Sequence, residues 1–396
     1  MSTIKDSVSV FMYGYADPVG MLFVTGKTFT FAYAAGWVER GYPISPFMPL
    51  EEGTFYAQGL HPIFSDVAPD RWGRKLIERK LVEKGHSGQM LEQHYLLELS
   101  DRLRMGALRF SMDGGKTYLG ENDGIPPASS LPRFIHLTDA MINGEHNDYS
   151  ALLSNVSLGG ARAKIMVKDD DGCFKLAKLP QPNDVDDVEG WEFVLIQLAE
   201  MAGIDVPVAS LHGDRKRHAL LLERFDRDGE KRVHYMSAMT LLNRRDGESE
   251  DASYVDLADA MSAYCDESAL PQLYRRMVFN LMCGNVDDHL RNHGFLYVDG
   301  AWRLAPAFDV TPCGFYADPH QLHVYGKDKP DTIETAVQYH SHFYLSKDQA
   351  CEIIREVANA LSSGEQIARM HDVRGMDNVR SRLGWQQAIN LLAHLG

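Results

Sequence analysis

Cysteine is scarce in this chain of 396 residues, with five at Cys173, Cys265, Cys283, Cys313 and Cys351. The number is odd and no two form a C-x-x-C pair, so neither a disulfide framework nor a zinc knuckle is expected. A reducing, cytoplasmic setting fits best. Positive charge is also in short supply: 40 Lys and Arg stand against 55 Asp and Glu, a formal net charge of -15. A broad basic surface that holds DNA by counterion release is therefore not expected, and DNA association would need a basic partner. Long apolar runs are missing too, since none approaches the roughly 20 residues of a membrane span. The first thirty residues carry Lys5 and Asp6 and then short alternating stretches, unlike the apolar core of a signal peptide. What remains is an ordinary folded composition, 44% hydrophobic and 24% charged with 33 Gly and 17 Pro. At roughly 150 residues per domain the length allows two or three.

The beginning reads as strands. SVSVFMY, GMLFV and FTFAY are separated by turn chemistry at Asp17-Pro18 and Gly26-Lys27. PDRWGRKLIERKLVEKG predicts a basic helix that Asp70 could cap and Gly85 stop. MGALRFSM and TYLG flank Asp113-Gly114-Gly115-Lys116, which predicts a hairpin. The GGKT within it is no Walker loop, because Phe110 occupies the place of the upstream Gly. Residues 121–133, with three prolines, are the best linker candidate. Beyond it, KIMV and CFKLAKL read as strands. Trp191, Val194, Leu195, Leu198, Ala199 and Ala202 mark one face of a helix ending at Gly203. HALLLERF reads as a buried strand, and from about residue 252 the pattern is helical. Tyr274, Met277, Val278, Leu281 and Met282 repeat at helix spacing, as do Ala350, Ile353, Ile354, Val357 and Leu361.

The densest chemistry lies in CGNVDDHLRNHGFLYVDGAWRLAPAFDV, residues 283–310. Asp287 is followed five positions later by Asn292, then by a hairpin pattern around Asp299-Gly300, and then by Asp309 where an apolar strand is expected to close. Phosphoryl transfer needs a carboxylate for the attacking hydroxyl's proton, an amide oxygen on a metal, and a second carboxylate joining metal to phosphates. D-x-x-x-x-N alone is common, but the hairpin spacing to a strand-closing Asp makes the set more specific. The competing structural reading turns Asp287, Asp288 and Arg291 into a solvated helix-cap network. His289 and His293 have the i, i+4 spacing of zinc ligands, yet the Glu of H-E-x-x-H is missing and no third ligand is evident.

A second constellation lies upstream in SNVSLGGARAKIMV, residues 154–167, followed by CFKLAK. Gly159 and Gly160 would let backbone N–H groups approach phosphate oxygens, with Ser157 and Lys164 flanking them. Period two puts Lys178 on the same strand face as Phe174 and Leu176, so a lysine points where apolar neighbours point. At about 4 Å and an effective dielectric near 20 it would gain roughly 4 kcal/mol per phosphate charge. The plainer reading is an amine snorkelling to the sheet edge. Glu192, expected in the first turn of the next helix, could pair with Lys178 or simply favour the helix dipole. LLLERFDR puts Glu223 and Phe225 at a strand end, where backbone and ring could meet an adenine.

Taken in order, SLGGARAK, FKLAKLP, EGWEF, LLLERFDR, GNVDDHLRN and LAPAFDV resemble the HipA family of bacterial toxin kinases. PDRWGR and SDRLRMGALRF resemble that family's amino-terminal domain, so the likeness spans nearly the whole chain. It implies an α+β fold: a β-rich domain over residues 1–130, then a protein-kinase-like two-lobed fold. The nucleotide-binding part would cover residues 131–235 and a mainly helical carboxy-terminal lobe residues 236–396. It implies a serine/threonine protein kinase that uses ATP and Mg2+. Asp287 matches the catalytic aspartate, Asn292 and Asp309 the magnesium ligands, and Lys178 the nucleotide-phosphate lysine. Glu223 and Phe225 match the adenine-contacting turn, and Ser157 the serine that the family autophosphorylates. The partner it implies is a helix-turn-helix antitoxin of the HipB type, which binds operator DNA. A translation component such as an aminoacyl-tRNA synthetase is a substrate the resemblance allows.

One departure follows FDR, where some relatives carry an acidic, glutamine-bearing stretch near the nucleotide and this chain reads HYMSAMTLL. Two other functions compete with the toxin kinase. One is a catalytically silent co-regulator bound to its antitoxin, against which the intact Asp287, Asn292 and Asp309 set argues. The other is a small-molecule phosphotransferase, since antibiotic kinases use the same D-x-x-x-x-N and metal-binding Asp.

Overall fold

Alternating burial organises the start of the chain into a sheet. In a computed structural model, which describes residues 7–69, 71–119, 124–145, 162–214, 217–314, 318–380 and 390, five strands from the first 111 residues share one sheet. They are β1 (Ser7–Met12), β2 (Gly20–Thr25), β3 (Thr28–Tyr33), β4 (Phe55–Gln58) and β5 (Leu108–Ser111), antiparallel in the order β4-β3-β2-β1-β5. In β3 the buried Phe29, Phe31 and Tyr33 alternate with half-exposed Thr28, Thr30 and Ala32, the pattern of a sheet with one face on a core. The ring of Phe31 meets Phe64 at 5.3 Å and Tyr33 at 4.9 Å. Tyr33 is tied down at its far end, its hydroxyl donating to the Met48 carbonyl at 2.8 Å and accepting from the Ile44 N–H at 3.0 Å.

The chain divides into two units, Met1–Pro182 with Asp226–Met236, and Asn183–Phe225 with Ser237–Gly396. In the first, the expected helix runs Arg71–Glu83 and buries Trp72, Leu76, Ile77 and Leu81; the proposed cap Asp70 lies outside the described residues. Around Asp113-Gly114 the chain turns back as expected, the Leu119 N–H donating to the Phe110 carbonyl at 3.2 Å, but the described residues after the turn form no strand, and β5 pairs as a strand with β1. In the turn the Asp113 carboxylate accepts from the Thr117 N–H at 3.0 Å and the Thr117 hydroxyl at 2.8 Å. Local side-chain bonds close the turn. The two strands expected next form as β6 (Lys164–Lys168) and β7 (Phe174–Lys178), paired in an antiparallel hairpin. The linker candidate is partly helical, since a 3-10 turn at Ala128–Ser130 leads into a helix at Leu131–Ile142.

The returning segment Asp226–Met236 is fastened to this unit by buried charge. Asp101, 2% exposed, accepts from Arg109 Nε at 2.9 Å and from Arg232 Nη1 at 3.0 Å. Asp226, fully buried, accepts from the Gly106 N–H at 2.6 Å. Arg104 is buried completely, and its guanidinium donates to the carbonyls of Val67, Leu96 and Leu99 at 3.1, 2.5 and 2.8 Å. Burial pulls its pKa down to about 9.

The second unit is largely helical. The helix Val188–Met201 buries every residue of the face read from the sequence, and Asp187 caps it by accepting from the Gly190 N–H at 3.2 Å. The same carboxylate takes His218 Nδ1 at 2.5 Å from β9 (Arg217–Glu223), which pairs antiparallel with β8 (Ala209–Asp214). Helices Leu270–Cys283 and Lys347–Leu361 pack together, the second opened by a reciprocal cap of Ser346 and Gln349.

Removing the Asp101 carboxylate should expose how much these charges hold. Burial raises its pKa, but the Arg232 and Arg109 guanidiniums outweigh that and leave it below the ordinary value. A depressed carboxyl contributes stability that is fully present above its unfolded value of about 3.9 and is lost as pH falls through the folded one. Asp101→Ala is therefore expected to cost roughly 3–5 kcal/mol at pH 7, as for a broken buried pair. In urea denaturation the gap to wild type should narrow below about pH 4 as the wild-type carboxylate protonates. A gap that is absent at pH 7 contradicts the assignment.

Candidate active site

The site is built at the end of the helix Leu270–Cys283, eleven of whose residues are buried. Pro271 opens it, where a missing N–H costs nothing. Gly284 ends it in the left-handed region, φ 69°, where a side chain would be strained. The next nine residues, Asn285–His293, form a turn that a buried polar network fastens along its length. At its start, Asn285 Nδ2 donates to Asn280 Oδ1 at 3.0 Å. Asn280 Nδ2 donates in turn to the Tyr254 hydroxyl at 2.9 Å, and that hydroxyl donates to Asp288. At the far end, His293 Nε2 lies 3.0 Å from Asp288 Oδ1.

Asp288 is thus a fully enclosed anion with two side-chain donors from different parts of the unit. Burial raises its carboxyl pKa, but the His293 charge and the hydrogen bonds from His293 and Tyr254 outweigh this and hold it below the ordinary range. Burial and the Asp288 charge push the Tyr254 phenol well up. Both side chains therefore keep the protonation state their hydrogen bond needs.

With Asp288 turned inward, its neighbour Asp287 is exposed. Asp287 Oδ1 accepts from Gln321 Nε2 at 2.8 Å, and the Asp287 carbonyl accepts from Asn292 Nδ2 at 3.3 Å. That second bond commits the amide nitrogen of Asn292 and leaves its oxygen as the donor atom for a cation. Arg291 sends two guanidinium bonds to Asp246, each at 3.1 Å. The solvated cap network of Asp287, Asp288 and Arg291 is therefore not what forms.

The predicted hairpin follows as strands Gly294–Val298 and Ala301–Leu304, with Asp299 and Gly300 at φ 52° and 80°, the signs of a type I′ turn. Asp309, expected to close a strand, instead lies five residues beyond Leu304 in irregular chain. Its φ of 60° is a costly conformation for a residue with a side chain. Backbone bonds on either side hold the stretch against the turn: Ala305 N–H to Gly294 O at 2.8 Å and Gly314 N–H to Gly284 O at 2.9 Å. Arg276 Nη2 adds a bond to the Ala305 carbonyl at 2.7 Å. A small cavity between them is lined by Asp288, Asn292, His293, Phe308 and Val310, which puts Asn292 beside the two neighbours of Asp309.

Two oxygen donors, the Asn292 amide and the Asp309 carboxylate, suit a hard cation. Among the described residues no three His, Cys, Asp or Glu side chains gather as a metal site. Magnesium fits such a sparse set, since it commonly takes one or two protein oxygens and completes its shell with phosphate and water.

The other candidates are placed as follows. Glu223 ends β9, exposed, and its N–H donates to the Val208 carbonyl at 2.9 Å. Phe225 is half-buried with its ring 5.3 Å from Phe308, next to Asp309. Glu192 is buried in the second turn of its helix, not the first, because the helix begins at Val188. In the other unit, Lys164 and Lys178 are direct cross-strand partners of the β6–β7 hairpin, 4% and 5% exposed. Like charges opposite each other repel, so this pair needs anionic company. Ser157, Gly159 and Gly160 lie outside the described residues.

Residues 156–364 match the HipA-like C-terminal domain and residues 9–111 the HipA N-terminal domain. The chain belongs to the HipA family. It is 24% identical over 329 residues to the serine/threonine-protein kinase toxin HipA of Shewanella oneidensis, covering 75% of this chain and 73% of that protein. The solved complex of Shewanella oneidensis HipA with HipB and its operator DNA contains a chain of the same fold. Its TM-score is 0.70 at 16% identity, covering 98% of this chain and 94% of that one. The α+β, kinase-like architecture is therefore that of HipA proteins.

For this HipA-family turn, Tyr254→Phe is the mildest test of the buried network. It withdraws one donor from Asp288 and leaves Asn280 Nδ2 without its acceptor. Urea denaturation should show a loss of about 1–3 kcal/mol. An unchanged midpoint would mean that the network does not hold the turn.

Proposed function

We propose that this chain is an ATP- and magnesium-dependent serine/threonine protein kinase acting as the toxin of a toxin–antitoxin pair. The observation that carries the reading is the turn itself: exposed Asp287 and buried Asn292 on one buried framework, with the Asp309 stretch bonded to both of its ends. Asp287 would accept the proton of the acceptor hydroxyl as that oxygen attacks the γ-phosphorus. The bond from γ-phosphorus to the bridging oxygen breaks and ADP leaves. Asn292 and Asp309 would hold magnesium, which when bound neutralises phosphate charge. Lys178 and Lys164 would supply positive charge for the phosphates, with the backbone at Gly159 and Gly160. Glu223 and Phe225 would meet the adenine, and Glu192 is the candidate partner of Lys178.

A helix-turn-helix antitoxin of the HipB type would be the partner, as the Shewanella complex pairs HipA with HipB and operator DNA. The net charge of -15 supports DNA contact made mainly through that partner. The substrate would be a cytoplasmic protein hydroxyl, with translation components such as an aminoacyl-tRNA synthetase as the first class to test. Among the described residues no helix is long and apolar enough to cross a membrane.

Two variants separate proton acceptance from metal holding. Asp287→Asn should lower phosphate transfer by roughly 100- to 10,000-fold while ATP still binds. Asp309→Ala should weaken magnesium-dependent ATP binding in calorimetry, since it withdraws a hard oxygen ligand. Near-normal turnover in the first, or unchanged binding in the second, removes that residue from its role.

Ser157 is expected to be phosphorylated by the chain itself and to switch it off. A phosphoserine adds about two negative charges, each repelled by roughly 3 kcal/mol per unit charge at about 5 Å from a triphosphate. Intact-mass measurement after incubation with ATP and magnesium should show one added phosphate, absent in Asp287→Asn and Ser157→Ala. An active enzyme left unmodified at Ser157 contradicts this.

A further inference from the structure

An exposed carboxylate on a turn has several rotamers open to it, and only some present an oxygen to an incoming hydroxyl. Asp287 is exposed, yet its orientation is not left to chance, because Gln321 Nε2 donates to its Oδ1 at 2.8 Å. Gln321 is itself held at the backbone, its N–H donating to the Val286 carbonyl at 3.0 Å. The residues on either side are fixed by one buried carboxylate. Asp331 accepts from the His320 N–H at 3.2 Å, the Val324 N–H at 2.9 Å and His323 Nδ1 at 2.9 Å. His323 also exchanges backbone bonds with the chain at Ala252 and Tyr254, at 3.0 and 2.7 Å. Residues His320–Val324 thus form a rigid strip whose one exposed amide side chain reaches the proposed base.

We propose that Gln321 is a positioning residue for phosphate transfer: its amide N–H fixes Asp287 Oδ1 so that Oδ2 faces the acceptor hydroxyl. The assignment rests on reading Asp287 as the base. Being neutral, the amide donor holds the carboxylate without neutralising it, as a lysine or arginine in this place would. Three of the bonds that fix the strip go to Asp331, so the whole device is built into the fold and needs no ligand to assemble it.

Gln321 is exposed, and its replacement should leave thermal unfolding nearly unchanged. The full chain is incubated with labelled ATP and magnesium, with and without casein as a generic acceptor, and phosphate on protein of either kind is counted. Wild type, Asp287→Asn, Gln321→Ala, Gln321→Glu and Gln321→Lys are compared. Gln321→Ala should lower kcat by roughly 10- to 100-fold, the scale of a misplaced reacting group, while KM for ATP stays within about twofold. Gln321→Glu keeps the length but loses the donor and sets one carboxylate against another, so it should fall further. Gln321→Lys restores an N–H donor but brings the charge that weakens a carboxylate as a base, so it should also stay well below wild type. Wild-type or higher kcat in Gln321→Ala, with Asp287→Asn inactive, overturns the positioning role alone. Turnover in Asp287→Asn equal to wild type, or no transfer by wild type, overturns the reading of the site and this assignment with it.

Discussion

A buried carboxylate governs the second unit. Asp288 is 2% exposed, and an ionised carboxylate in such a place is tolerated only when paired and hydrogen-bonded. Tyr254 comes from the helix Tyr254–Tyr264, Asn280 from the helix Leu270–Cys283, and His293 from the residue preceding the hairpin. Satisfying one charge therefore fixes three elements at once. The site residues then follow by adjacency: Asp287 is turned outward because Asp288 is turned inward, and Asn292 is held next to His293.

The rest of the candidate centre is joined to this turn by backbone bonds. Asp309 reaches its place through a stretch bonded at Ala305 and Gly314, and it adopts a positive φ that the surrounding bonds must impose. Strained backbone at a residue proposed to hold a metal is the kind of cost that a fold retains for chemistry. In the other unit the same economy recurs around Asp101 and Asp226, which fasten a returning segment by guanidinium and amide donors.

Much of this was legible in the residues. Helix faces were readable from spacing, as at Trp191 to Ala202 and Ala350 to Leu361, because burial of one stripe leaves a 3.6-residue period. The Asp299-Gly300 hairpin was readable because its turn demands two residues tolerant of positive φ. The strand partner of β5 was not, since it is β1, a pairing across a hundred residues. In the site, Asp287, Asn292 and Asp309 stood out by residue type and spacing. Tyr254, Asn280 and Gln321 did not, because their roles come from partners distant in sequence, while Asp288 and His293 were noticed only as a surface cap and a zinc-like spacing, since their bond depends on burial that spacing does not show.

The most direct test is a crystal structure of the full chain with magnesium and a non-hydrolysable ATP analogue. Placing the turn through Asp288 predicts one ion bound by the Asn292 amide oxygen and an Asp309 carboxylate oxygen at about 2.0–2.1 Å. Asp287 should remain free of that ion, and the bonds of Asp288 to Tyr254 and His293 should be intact. An ion held elsewhere, or Asn292 and Asp309 facing no ion while nucleotide is bound, would contradict the account.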